Sequence, residues 1–201
     1  MRCLRLTMIF AIALACGFAV PAGAQAPAPP VTAEPPPGGS VMGTRQPGDA
    51  FGQEVTLPAR SIVYVKGQSG WDKAYETLQA AFKALHAALD KAGIKPSGPS
   101  MVIYTETDEK GFSFEAALPV AKASETPLGS GISAGQAPSG KALKFVHRGS
   151  YDAMDSTYDT ITEYLDEKNL DATDPFLEEY VTDPLTTPAD RLQVNIYVPV
   201  K

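Results

Sequence analysis

Gly67-Gln68-Ser69-Gly70-Trp71-Asp72 and His147-Arg148-Gly149-Ser150-Tyr151-Asp152 stand eighty residues apart and read as one device used twice. In each, a strand runs into a glycine turn, and an aromatic residue followed by aspartate opens a helix. Ahead of the first turn, Ile62-Val63-Tyr64-Val65 is the apolar centre of a strand spanning 54–66, with Pro58 forcing a break or an edge position. Behind it, Tyr75, Leu78, Phe82, Leu85 and Leu89 recur at spacings of three and four, which predicts a helix from Trp71 to about Lys91, ended by Gly93. Strands at 100–106 and 111–120 follow, joined at Thr107-Asp108-Glu109-Lys110. The second puts Phe112, Phe114, Ala116 and Leu118 on one face and Glu115 on the other.

The second turn has the same surroundings: a strand over 141–148, a helix over about 151–168 with Tyr151, Met154, Tyr158, Ile161 and Leu165 on its apolar face, and two strands within 174–184 and 192–200. Between the halves, 122–140 is punctuated by Pro127, Gly129, Gly131, Gly135 and Pro138 and reads as a long surface loop. The fold class is therefore α+β: a duplicated β-α-β-β unit forming a curved antiparallel sheet with two helices and a central cleft.

In the next-to-last strand, alternation puts Glu178 and Tyr180 on one face and Glu179 on the other. If the first face is concave, it offers a carboxylate in an aromatic cup, suited to an organic cation or to a substrate that an acid protonates. Glu179 becomes the control: its replacement by Gln is expected to leave binding unchanged.

The N-terminus reads as an address. Arg2 and Arg5 precede an apolar run over 6–20 and then Pro21-Ala22-Gly23-Ala24, the order of a secretory signal peptide cut after Ala24. The run is short of the roughly 20 residues needed for a stable membrane span. Soluble export is favoured over lipidation at Cys16, since the apolar run continues past that cysteine. Residues 25–52, with Pro29-Pro30, Pro35-Pro36-Pro37 and Gly38-Gly39, lack apolar periodicity and read as a disordered tether; a chain beginning at Gln53 is expected to melt no earlier than the mature one.

Without Arg2 and Arg5, 15 basic residues face 23 acidic ones, a net charge of −8 that opposes nucleic-acid binding. Both cysteines, Cys3 and Cys16, leave with the leader, and His86 and His147 have no ligand-like companions. No metal or cofactor is expected. No phosphate loop, dinucleotide fingerprint or Ser-His-Asp order is visible, so an enzyme would have to work through Glu178 with a tyrosine. Trp71 reads as a packing anchor.

Six motifs in order, Leu57-Pro58-Ala59, Phe112-Ser113-Phe114-Glu115-Ala116-Ala117-Leu118-Pro119-Val120, Gly140-Lys141-Ala142, His147-Arg148-Gly149-Ser150-Tyr151, Glu178-Glu179-Tyr180-Val181-Thr182-Asp183-Pro184 and Ile196-Tyr197-Val198-Pro199-Val200, give residues 53–201 a resemblance to a known family. They are similar to the GyrI-like small-molecule-binding domain, also called the AraC-type effector-binding domain. The resemblance implies a pocket for amphipathic, aromatic and often cationic molecules. It also implies a role as effector-binding half of a transcription activator, as free-standing binding protein, or, in one branch, as hydrolase of cyclopropane-containing genotoxins. The family's pocket glutamate opens a Glu-x-Tyr motif, here Glu178-Glu179-Tyr180. Leu177 stands where relatives often carry tryptophan, and the leader and missing DNA-binding segment mark an exported stand-alone member. Haem proteins of the SOUL type share the duplicated architecture, but neither histidine is marked as an axial ligand.

The expected ligand-binding set is Glu178, Tyr180, Tyr151, Tyr104 and Phe114, with a core role competing for Tyr104 and Phe114. Three readings stand: a binding protein for amphipathic, cationic or aromatic molecules, a hydrolase of cyclopropanoid-type compounds using Glu178 with a tyrosine, and an interaction module without a small ligand.

Overall fold

The computed structural model describes residues 46–122, 128–129 and 131–201, so the expected leader and most of the expected tether lie outside the described residues. The elements are β1 (Phe51–Leu57), β2 (Ser61–Gly70), α1 (Ala74–Ala92), β3 (Ser100–Thr107), β4 (Gly111–Pro119), β5 (Ile132–Gln136), β6 (Gly140–Gly149), α2 (Met154–Lys168), β7 (Phe176–Tyr180) and β8 (Leu192–Val198). Short 3-10 turns at Trp71–Lys73 and Tyr151–Ala153 lead into the two helices. Gly93 (φ 67°) and Asn169 (φ 53°) close the helices in the left-handed conformation common at C-termini.

All eight strands join one antiparallel sheet in the order β1-β6-β8-β7-β3-β4-β2-β5. The first strand of each half leaves its own half and pairs in the other: β1 lies on β6, and β5 on β2. At the centre β3 meets β7 with Val102 opposite Glu178.

Connection lengths force the sheet to curl. Only residues 58–60 link β1 to β2, yet six strand spacings separate them in the sheet order. Laid flat, that is about 29 Å at ~4.8 Å per spacing, whereas four chain steps reach at most about 14 Å. The short link from β5 to β6 makes the same demand, and the backbone N–H of Ala137 donates to the Arg60 carbonyl (2.9 Å) where the links meet. The curl encloses a small core of Leu57, Ile62, Met101, Ile103, Ala117, Ala137, Ala142, Leu177 and Tyr197, drawn from edges and centre alike. The opposite face carries the larger core, in which Leu78, Phe82, Leu85 and Leu89 of α1 and Met154, Ile161 and Leu165 of α2 cover Val63, Phe112, Phe114, Leu118, Phe145 and Val194.

Three expectations change. The strand over 54–66 is two strands, because Pro58 sits in the link between them. The 122–140 stretch is not all loop: Ile132–Gln136 is an edge strand on β2. The folded unit also starts before Gln53. Phe51 packs edge-on against Phe145 and Tyr164 (centroids 5.0 and 5.5 Å), and Asp49 accepts three hydrogen bonds from the Arg148 guanidinium, at 2.8 to 3.1 Å. Gly52 makes this approach possible. It sits at a register shift with φ 69°, and a Cβ there would run into the Tyr164 ring.

Candidate functional site: a carboxylate held by tyrosines

β7 presents Glu178 to the helices and Glu179 to the inside of the curl, as strand alternation requires. The two neighbours live in different chemistries. Glu179 accepts from Arg60 Nη1 at 2.8 Å, and from Asn195 Nδ2 and the Tyr197 hydroxyl at 3.1 Å each. Burial pushes its carboxyl up, but these donors and the Arg60 charge outweigh that and hold it below the ordinary carboxylate value. The same carboxylate pushes the Tyr197 hydroxyl, already raised by burial, up to about 12.

Glu178 is 1% exposed and has no such cation among the described residues. Tyr158 donates to Oε1 at 2.7 Å, and Tyr180 and Tyr104 donate to Oε2 at 2.9 and 3.1 Å. Among the described residues every group that acts on its ionisation is one of these tyrosines. Desolvation wins over their hydrogen bonds, so its carboxyl is pushed above the ordinary value. The three hydroxyls are themselves driven well above the usual tyrosine range, first by burial and then by the Glu178 charge, and so remain donors at any physiological pH.

The geometry follows from the internal symmetry of the sheet. Because Val102 and Glu178 are opposite each other across the central pair, Tyr104 and Tyr180, each two residues further along its own strand, flank the carboxylate from both sides. Tyr158 comes down from α2. Tyr151, in the turn before α2, lies close enough to feel both Glu178 and Tyr104, and its ring stacks on Tyr75 of α1 (centroids 4.7 Å, interplanar 24°). Tyr75 is held in turn by its hydrogen bond to the Pro184 carbonyl, at 3.1 Å. Four of the chain's eight tyrosines therefore gather at one acid, and a fifth, Tyr75, stacks on one of them.

Residues 53–201 match the profile of the GyrI-like small molecule binding domain. The chain belongs to that family. No curated protein matches it by sequence. Solved structures with the same fold include EcmrR in complex with DNA, at 17% identity and TM-score 0.63 over 74% of this chain and 56% of that one; the chain thus spans little more than half of EcmrR. SAV2435 bound to tetraphenylphosphonium matches at 15% identity and TM-score 0.52, over 74% of this chain and 93% of that one. A hydrolase from Listeria innocua matches at 12% identity and TM-score 0.51, over 74% and 91%. At these identities the likeness is one of fold.

In this GyrI-like domain the expected residues fall into two groups. Glu178, Tyr180, Tyr104 and Tyr151 converge. Phe114 does not: its ring lies with Phe112 (5.5 Å) and over Gly67, in the core beneath α1. The cup is built differently from expectation: the sheet curls away on the Glu179 side, and the strand tyrosines Tyr104 and Tyr180 are joined around Glu178 by Tyr158 of α2 and Tyr151 of the turn before it. Tyr158 and Tyr75 were missed as site residues. The signal for Tyr158 was its spacing of seven from Tyr151, two helical turns along the same face. His147 is structural: Nδ1 pairs with the Thr157 hydroxyl (2.8 Å) and Nε2 with the Ser150 carbonyl (3.0 Å), and burial lowers its pKa. Among the described residues no cluster could hold a metal ion, and no helix is long and apolar enough to cross a membrane.

Proposed function

We propose that the protein binds amphipathic aromatic molecules, cationic ones above all, as an exported domain that does not engage nucleic acid. The observation that carries this reading is Glu178: a fully buried carboxylate with three tyrosine donors and, among the described residues, no cationic side chain, one residue from a carboxylate that has one. A bound organic cation would supply the missing charge and favour the ionised acid, while tyrosine faces give it π contacts. The half-buried Tyr75–Tyr151 stack is the wall that would part to admit a ring. The tetraphenylphosphonium complex of SAV2435 has the fold and a lipophilic cation together, which supports the same ligand class here. The basic, apolar and small-residue order of 1–24 supports export, and the acidic balance of the chain favours cations over polyanions.

The test is a panel of cationic dyes and neutral dyes of equal shape, titrated by calorimetry. A direct interaction with a charged group contributes about 1.5–3 kcal/mol, so Glu178→Gln should weaken the cations roughly ten- to a hundredfold and spare the neutral dyes. Equal losses for both classes would remove the charge argument. The hydrolase reading rests on the same acid, whose raised pKa and 2.7 Å contact with Tyr158 suit proton transfer. Turnover of strained cyclopropanes or activated esters, abolished by Glu178→Gln, would favour it over binding alone.

A further inference from the structure

Shortly after Tyr180, the connection from β7 to β8 crosses to α1. Pro184 is buried there, and its carbonyl accepts two hydrogen bonds from that helix: from the Tyr75 hydroxyl at 3.1 Å and from Gln79 Nε2 at 2.8 Å. The rest of the segment is braced on itself. The Asp183 carboxylate accepts from the backbone N–H of Leu185 and from the Thr186 hydroxyl, at 2.9 Å each, and the Asp183 carbonyl accepts from the N–H groups of Thr186 and Thr187, at 3.3 and 2.9 Å. Its base is tied to β8: the N–H groups of Val181 and Thr182 donate to the Gln193 carbonyl, and the Gln193 N–H donates to the Thr182 hydroxyl at 2.9 Å. Residues 183–188 therefore form a stiff turn on a fixed base. Among the described residues, hydrogen bonds join this turn to the helices at one atom, the Pro184 oxygen, while Leu185 packs partly buried on the larger core.

That one atom fixes a wall of the Glu178 site. Tyr75 lays its ring on Tyr151, and Tyr151 is close enough to act on Glu178 and Tyr104. Tyr104 and Tyr180 are buried with the carboxylate, whereas Tyr75 and Tyr151 are only partly buried, so their stack is an outer layer over it. A ring that reaches Glu178 between them must separate the stack. Tyr75 cannot swing away while its hydroxyl stays on Pro184, and Gln79 keeps that acceptor in place.

We infer that the β7–β8 turn is a latch on the Glu178 site: Tyr75 and Gln79 close on the Pro184 carbonyl, and a ligand enters by breaking those two bonds. The inference rests on Glu178 being the acid that a ligand reaches. A contact made only in the closed state opposes binding, so weakening it tightens binding. Tyr75→Phe, which keeps the ring, and Gln79→Ala should each tighten tetraphenylphosphonium about two- to tenfold by calorimetry, the range set by one hydrogen bond. Damage to the site would act in the opposite direction. The ligand-free protein gives a second readout by NMR. The hydroxyl protons of Tyr104, Tyr158 and Tyr180 should exchange with water severalfold faster in both variants, while Glu115→Gln, on the other face of the sheet, leaves them unchanged. Faster hydroxyl exchange with no cation bound by any variant would support the latch and overturn the cationic-ligand reading. Unchanged hydroxyl exchange, or cation binding that both variants weaken or leave as it was, would overturn the latch.

Discussion

Two adjacent glutamates on one strand differ in every respect that matters for function. Glu178 binds its proton more tightly when folded than when unfolded, because its carboxyl is raised. That contribution favours the fold at acid pH and is lost as pH rises through the folded value. An uncharged Gln avoids the loss. Glu178→Gln should therefore melt higher than the parent at neutral pH, with the gap closing toward pH 4; a lower melting temperature at pH 7 would show that the tyrosine cage more than offsets burial. Glu179, expected to be a control for ligand binding, carries an ion pair of its own that bears on stability. Its replacement by Gln leaves Arg60 without its charge partner, and loss of a charged hydrogen bond costs about 1.5–3 kcal/mol, measurable by urea unfolding. Its contribution is present above the ordinary carboxylate pKa and fades as pH falls through the depressed folded value. The neutral control for ligand work is Glu115→Gln, since that side chain pairs with the exposed Lys66.

At the scale of elements, strands and helices with strong apolar alternation were legible: α1, α2, β3, β4, β6 and β8 stand close to where the pattern put them. What alternation does not record is partnership. β5 reads Ile-Ser-Ala-Gly-Gln and is a strand because β2 supplies its hydrogen bonds, not because its side chains ask for one. The start of β1 was hidden in the same way. Phe51 looks like part of a proline-rich tether until Phe145 and Tyr164 are seen around it, ninety or more residues on. Deleting residues up to Gly52 should accordingly lower the melting temperature, and Phe51→Ala alone should cost about 1–3 kcal/mol. Deletion only to residue 45 keeps both Asp49 and Phe51 and is the comparison. An identical melt for the two truncations would mean that these contacts contribute nothing. The acid itself was legible from Glu-x-Tyr, but the four rings at closest range come from β3, β7, α2 and the turn before it, which only the folded chain brings together.

At the scale of the whole molecule, symmetry and its breaking explain the site. Val102 and Glu178 hold equivalent central positions, so one carboxylate, not two, faces the helices, and like-charge repulsion never arises. The exchange of first strands between halves also sets a clock on synthesis. Phe51 pairs with Phe145, 94 residues later in the chain. At 5–20 residues per second, β1 emerges on the order of 5–20 s before its partner exists, and for that interval the ribosome-bound chain cannot close its sheet. The protein can finish folding only after its second half is made, which keeps the nascent polypeptide threadable until late in translation.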